Sequence, residues 1–482
     1  MTTSQEEAER AGAFSSMLAF RDHKKRSAGG SIERVVLNAV NGNSFKMNQT
    51  IDIVIPGNTQ GFADMHNSYL RFKINYDRKA TSGANDLSLP TNGVYNLFKR
   101  VELLASGTVI SSIDEYAKLA NLMLDTDMDS QKRVSAGNIQ YGMGESSSNL
   151  ADNVGVGLDG GSGGAVQIHS TQFCFLPIVS VLHSLTKYLP LMGDELRIRL
   201  TLNDFNSAFI AGNRGSVAGV KVDPTEDPTV SAITAVSETD WAGDPNDITI
   251  SPVELIMYKI QLDDLPQALV QQNTGGVYSM VLTDYTNSKG SVAVADTTSV
   301  FNTGFSFTSC ARILFAFYPQ YDNDARKQKA DSERHKVTRN VNQYCFNVGG
   351  KNIPALKLSG RASETLTENK ASLRILGDFQ HRSSINNDNF NIPNWASDEV
   401  TKDGKTFNGI GTRHYEVDLE TLKNYSDENG IYSGISTTGK TTAIHVDYTG
   451  GGVTATEMNA WAEHQIGFTL DMNGSRTWKV VV

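Results

Sequence analysis

Three cysteines in 482 residues (Cys174, Cys310 and Cys345) are too few and too scattered for a disulfide framework or a zinc cluster. Each sits inside an apolar, strand-like run, where cysteine behaves as a small hydrophobe. The chain is therefore expected to fold in a reducing compartment. No stretch approaches the ~18 consecutive apolar residues of a membrane-spanning helix. The N-terminus is acidic and polar, unlike a secretory signal. The nine histidines include no H-E-x-x-H and no pair at ligand spacing. "DTDMDS" (125–130) has acidic spacing but lacks the central glycine and closing glutamate of a calcium loop. No nucleophile elbow and no Cys-His arrangement occurs, and nothing singles out two of the 53 acidic residues as a glycosidase pair. The expectation is no catalytic residue, no metal, no cofactor and no enzymatic activity. A net charge of −10 also argues against a chain that coats nucleic acid unaided, and no sequence-specific nucleic-acid partner is expected.

Two nucleotide-binding signatures are present as strings and fail on context. In "SGISTTGKTTAIHVDY" (433–448), Gly434, Gly439, Lys440 and Thr441 match G-x-x-x-x-G-K-[ST]. That motif needs a buried strand before the glycine loop and a helix after it, so that helix amides and the lysine converge on phosphate. Here the approach, "NYSDENGIYS", is too polar for a central parallel strand. The exit alternates Ile444, Val446 and Tyr448 with His445 and Asp447, which is the period of a half-buried strand. Lys440 is expected in an exposed turn between two antiparallel strands, with Thr441 opening the second. "GVGLDG" (155–160) matches G-x-G-x-x-G with neither the strand before nor the helix after, and reads as a glycine loop.

What the chain does carry is β pattern. "YLRFKINYD" alternates Leu70, Phe72, Ile74 and Tyr76 with polar residues, and "ELRIRLTLND" alternates Leu196, Ile198, Leu200 and Leu202. "MYKIQLDD" (257–264) and "QIGFTLDM" (465–472) repeat the pattern, which implies antiparallel sheets with one face in a core. Asn473-Gly474 near the end is a hairpin cue. Two helices interrupt the strands. "SSIDEYAKLANLMLDTD" offers Ser112 as N-cap with Glu115 three residues on, and Tyr116, Leu119, Ala120 and Met123 on one face. "SETLTENKASLRILG" carries Leu366, Leu373 and Leu376, and Gly377 ends it. Each helix lies in the middle of its own half.

The pattern divides the chain into an N-terminal arm (1–32), a first β-sandwich (33–262), a linker with a short helix (263–276) and a second β-sandwich (277–482). In the arm, Ser4 and Glu7 fit a capping box. Phe14, Met17 and Leu18 follow at helical spacing, then the basic run Arg21, Lys24, Lys25 and Arg26, which together read as an amphipathic assembly arm. Polar insertions at 137–164, 213–247, 322–340 and 383–411 are long for a compact domain. The charge-mixed run 322–339, with six Lys/Arg against four Asp/Glu, reads first as a solvated loop.

Several phrases resemble the double jelly-roll major capsid proteins of tailless icosahedral DNA viruses, the lineage of adenoviruses, virophages and polinton-like viruses. They are "IDIVIPGNTQGFADMHNSYLRFKINY", "VYNLFKRVELLASGTVISSIDEYAKLANLMLD", "FLPIVSVLHSLTKYLPLMGDELRIRLTL", "VNQYCFNVGGKNIPALKL" and "HQIGFTLDMNGSRTWKVVV". The resemblance implies an all-β chain of two jelly rolls in tandem, with long insertion loops and few short helices. It implies a homotrimer whose six similar domains make a pseudo-hexagonal capsomer, tiling an icosahedral shell in the virion. Its partners would be neighbouring capsomers, penton and minor capsid proteins, with room for inner-membrane contact through the arm. The alternative is a β-sandwich carbohydrate-binding or glycan-processing protein, using Trp241, Trp395 and Trp461 as exposed stacking platforms, while Trp478 in a strand pattern is expected in the core.

Overall fold

The computed structural model describes residues 30–481, apart from 79–85, 128–137, 143–156, 159–166, 176–181, 213–247, 265–273, 321–331, 369–398, 421–433, 451–454 and scattered single or paired positions. The arm residues Phe14, Met17, Leu18, Arg21, Lys24, Lys25 and Arg26, the capping pair Ser4 and Glu7, and both Trp241 and Trp395 lie outside the described residues.

The first half contributes eight long strands: β1 (Gly30–Asn38), β2 (Thr50–Ile55), β3 (Phe62–Arg78), β4 (Phe98–Ala105), β5 (Thr108–Asp114), β6 (Gln167–Phe175), β7 (Leu196–Leu202) and β8 (Ile248–Leu262). They form two antiparallel sheets, sheet I in the order β1-β8-β3-β6 and sheet II in the order β2-β7-β4-β5. The second half supplies β9 (Val277–Val292), β10 (Thr298–Asn302), β11 (Cys310–Pro319), β12 (Val341–Val348), β13 (Lys351–Ser359), β14 (Tyr415–Asp418), β15 (Thr442–Tyr448) and β16 (Thr456–Asp471). Sheet III follows the path β9-β16-β11-β14 and sheet IV the path β10-β15-β12-β13. Adding eight to each strand number of the first half reproduces the second. This is the jelly-roll order twice over, and the likeness in layout of the two halves is a likeness in topology. A last strand, β17 (Trp478–Val481), pairs with β16 through Gly467–Leu470.

Alternation decides the faces where the outer face meets solvent. Leu70, Phe72 and Ile74 of β3 are buried, and β7 reads buried-intermediate along its whole length. "MYKIQLDD" departs from expectation, since from Tyr258 to Leu262 no residue of β8 is fully buried. β11, "CARILFAFYP", is buried at all but one position. Its Ile313, Phe315 and Phe317 enter the core between sheets III and IV, while Leu314, Ala316 and Tyr318 join the core of the first half. A strand covered on both faces loses its alternation.

Helix α1 (Tyr116–Asp127) begins later than the capping pattern suggests. Ser112 is inside β5, where the ladder with β4 continues to Arg100↔Asp114 and takes the backbone that a helix would need. The chain turns from strand to helix on Glu115 alone, at φ +52°. Tyr116, Leu119, Ala120 and Met123 are buried as expected, but so are Ala117, Asn121, Leu122 and Leu124, so the helix is enclosed rather than one-faced. Of the second helix, Glu364, Thr365, Thr367 and Glu368 are helical, and Leu366, Leu373 and Leu376 lie outside the described residues. The Asn473-Gly474 cue marks a real hairpin, β16 to β17, though its loop spans 472–477 rather than two residues.

Candidate functional site

Among the described residues no group of three or more His, Cys, Asp or Glu side chains is placed to hold a metal ion. Among the described residues no helix is long and apolar enough to cross a membrane. In an open hollow of about 430 Å³, lined by Val54, Pro56, Gly57, Asn58, Ser106, Asp194 and Glu195, the Ser106 hydroxyl donates to the Asp194 carboxylate at 3.0 Å on exposed surface. The chemistry of this chain is concentrated instead where the two halves meet.

That joint sets the corner formed by β5 and α1 against the outer face of sheet III. Leu314, Ala316 and Tyr318 of β11 and Trp461 of β16 supply the apolar part. Trp461 is fully buried and donates its indole N–H to the Asp114 carbonyl at 3.3 Å. This overturns the reading of Trp461 as an exposed sugar platform. It lies on a strand, and burial of so large a ring outweighs any solvent role. Trp478 is in the core as expected, stacked on Phe468 with ring centroids 4.2 Å apart.

Charged groups bind the joint across the sequence. Lys118 of α1 lies 2.9 Å from Glu115 and 3.3 Å from Glu457 of β16, and 5.0 Å above the Tyr318 ring. Burial disfavours its ammonium, yet Glu333, Glu115 and Glu457 outweigh that and push its pKa up. Burial would likewise raise the Glu115 carboxyl, but Lys118 and Lys289 of β9 override it and hold it at about 2. Arg312 of β11 pairs with its register partner Glu463 and lies 3.5 Å from the fully buried Glu416 and 3.7 Å from the Met123 sulfur. Tyr285 donates to Glu463 at 2.7 Å. At the lower end of the joint, Asp284 accepts from the Ser111 hydroxyl at 2.6 Å, and desolvation raises it to about 6. His464 sits 3.9 Å from Asp284 with its ring stacked on Phe307, and burial lowers it to about 4.

Of the charge-mixed run, 322–331 lie outside the described residues, and Glu333 belongs to this joint too. Ser332, Glu333, Arg334, Lys336 and Arg339 are buried, contrary to a solvated loop. The Glu333 carbonyl accepts from the Asn121 amide of α1 at 3.3 Å, which draws the segment inward. Sequence reasoning passed over Arg312, Lys118, Glu463 and Asp284. The signal available was a lone charge inside an apolar run, as in "CARILFAFY" and "YSMVLTDY".

The phosphate-loop string proves to be a turn. Lys440 is exposed, its N–H closes onto the Thr437 carbonyl at 3.1 Å, and its ammonium donates to the Ser436 carbonyl at 2.8 Å. Gly439 supplies φ +68°, and a Cβ on Gly434 would lie 2.5 Å from the Cys310 carbonyl oxygen. Both glycines answer to backbone geometry rather than phosphate. Two details differ from expectation. The segment before the turn is a single bridge, Ile435↔Cys310, and the following strand opens at Thr442. Of the other glycine string, Gly157–Leu158 is a short strand against Leu87 and Ser88.

No protein-family model and no curated protein matches the sequence. Solved structures do match across nearly its whole length. The PBCV-1 virus capsid superposes with a TM-score of 0.54 at 9% identity, covering 96% of this chain and 99% of that one. The Faustovirus major capsid protein gives 0.53 at 10% identity, covering 93% and 92%. The mavirus major capsid protein gives 0.52 at 9% identity, covering 96% and 93%. With its strand order repeated in each half, the chain has the double jelly-roll fold of viral major capsid proteins.

Proposed function

We propose that this chain is a major capsid protein, a structural subunit that forms homotrimeric capsomers of pseudo-hexagonal outline and tiles an icosahedral shell. The observation that carries this reading is the pair of jelly rolls of identical strand order, set side by side across a buried joint. Three such chains present six similar sandwiches, and a heterologous contact repeated until it closes makes a ring. A sandwich tolerates long insertions, because closing a longer loop costs little extra entropy. The net charge of −10 keeps unassembled subunits soluble. In this reading the domains are 33–262 and 277–482, with β1 reaching back to Gly30 and 263–276 as the linker. The arm residues Phe14, Met17, Leu18, Arg21, Lys24, Lys25 and Arg26 dock on a neighbouring capsomer, a minor capsid protein or an inner membrane, and penton proteins complete the shell. No observation favours the glycan reading now that Trp461 is buried.

Light scattering on the purified protein tests this directly. The expected mass is three times 52.5 kDa, and negative-stain images should show pseudo-hexagonal particles or sheets. A stable monomer at micromolar concentration would overturn it.

A further inference from the structure

Three strand connections meet at one end of the second sandwich, around a cation that none of them neutralises. The turn 293–297 joins β9 to β10, Arg339 and Asn340 lead into β12, and Thr449 and Gly450 follow β15. Backbone bonds tie them together. The Tyr448 N–H donates to the Thr297 carbonyl and the Thr449 N–H to the Asn340 carbonyl, each at 2.8 Å. Arg339 and Asn340 both take left-handed backbone, at φ +55° and +50°, which is costly for residues other than glycine. The chain carries that strain around an arginine that is only 3% exposed.

The Arg339 guanidinium is fixed in place yet incompletely bonded. Its carbon lies 5.1 Å from the Tyr448 ring centre, and Nη2 donates to the Ala293 carbonyl at 2.6 Å. Nε and Nη1 are enclosed and meet no acceptor among the described residues. Two cations of the joint differ in this respect. Arg312 meets Glu463 and Glu416, and Lys118 meets Glu115 and Glu457. The carboxylate that acts on Arg339 is Asp296, which makes no ion pair with it and instead accepts from the Ala293 N–H at 2.9 Å. Burial accordingly pushes the guanidinium pKa down. An enclosed cation with unused N–H groups is unfavourable until a further partner completes it. The Asn340 amide oxygen is likewise enclosed without a partner, and it would meet an anion with the amide turned so that Nδ2 donates.

We propose that Arg339 is the centre of a binding site for a small oxyanion of the phosphate or sulfate class, held by the free guanidinium N–H groups beneath these three connections. A planar set of charged N–H donors suits such an anion better than chloride or water. Ala293, Thr297 and Thr449 are exposed, so the cation lies just below the surface, within reach of an ion and covered against a polymer. This inference does not depend on the capsid reading.

Equilibrium dialysis of the full chain against radiolabelled inorganic phosphate tests it, at constant ionic strength with chloride as the balancing anion. Saturable binding of one phosphate per chain is expected at millimolar or lower concentration, with sulfate competing and a single-stranded oligonucleotide not competing. Arg339→Lys keeps the charge and loses the planar donor set, and should weaken binding at least about tenfold. Arg339→Met should abolish binding and, by removing an uncompensated charge, fold at least as well in the absence of phosphate. Lys440→Ala, at an exposed cation in a turn, should leave binding unchanged. Phosphate should also raise the melting temperature of the unaltered chain saturably, above the gradual rise that excluded salts give any protein. Absence of saturable binding to the unaltered chain would overturn the assignment whether or not the variants fold. Binding that survives Arg339→Met, or that an oligonucleotide displaces, would overturn it as well.

Discussion

The two jelly rolls share one strand order and differ in what covers their outer faces. On β3 of the first half, Leu70, Phe72 and Ile74 are buried and Tyr69, Arg71 and Lys73 are not. On β11, which holds the same place in the second half, the apolar run is nearly continuous and both sides are enclosed. The difference lies in the neighbour rather than in the strand. One sheet faces out of the chain, and the other faces its own first half. A topological repeat can thus hide behind two unlike sequence patterns, because alternation records exposure as much as it records strand.

The most damaging change should be at the centre of the covered face. Trp461→Ala is expected to cost about 3–5 kcal/mol in urea unfolding, since a fully buried ring leaves a cavity. It should also split a single transition into two as the halves uncouple. A single, unshifted transition would mean that the joint contributes little.

An ion pair repeated on corresponding strands offers the sharpest contrast. Arg312→Ala strands Glu463 and the fully buried Glu416, and should cost about 3–5 kcal/mol. Arg71→Ala removes the corresponding, partly exposed partner of Glu254 and should cost at most about 1 kcal/mol in the monomer. Equal losses would erase the distinction between covered and open faces.

At the lower end of the joint the pH dependence has a definite sign. Asp284 is raised to about 6, so the folded state binds more protons than the unfolded one, and its contribution falls as pH rises from 4 to 6. His464 is lowered to about 4, so the folded state binds fewer, and its contribution is lost as pH falls from 6.5 towards 4. The two slopes oppose each other across nearly the same window. Denaturation of the unaltered chain should therefore vary little between pH 4 and 6. Asp284→Asn should uncover stability that rises with pH, and His464→Gln stability that falls with it. Identical profiles for the two variants would contradict the assignment.

The smallest effect belongs to the turn. Lys440→Ala should change stability by no more than about ±0.5 kcal/mol, and ATP with magnesium should not raise the melting temperature. A shift abolished by the substitution would reopen the nucleotide reading.

Much of the fold was legible because period-two alternation survives wherever one face stays wet, as in β3 and β7. The failures have physical causes. Ser112 and Glu115 spell a helix start, but pairing of β5 with β4 holds the backbone through Asp114. Trp461 sits between "EMNA" and "AEHQ", polar enough locally to suggest a loop, while its partners Leu314 and Asp114 lie more than 140 residues away. Glu333 reads as solvated because its counter-charge Lys118 and the amide of Asn121 belong to α1, two hundred residues earlier. The joint was hidden for the same reason throughout: each of its members is ordinary until the other half of the chain is placed beside it.

Fourteen residues, 263–276, connect the end of β8 to the start of β9. A short tether holds two binding surfaces at an effective concentration on the order of millimolar, roughly a thousandfold above free chains at micromolar concentration. The joint within the chain therefore closes before any encounter between chains.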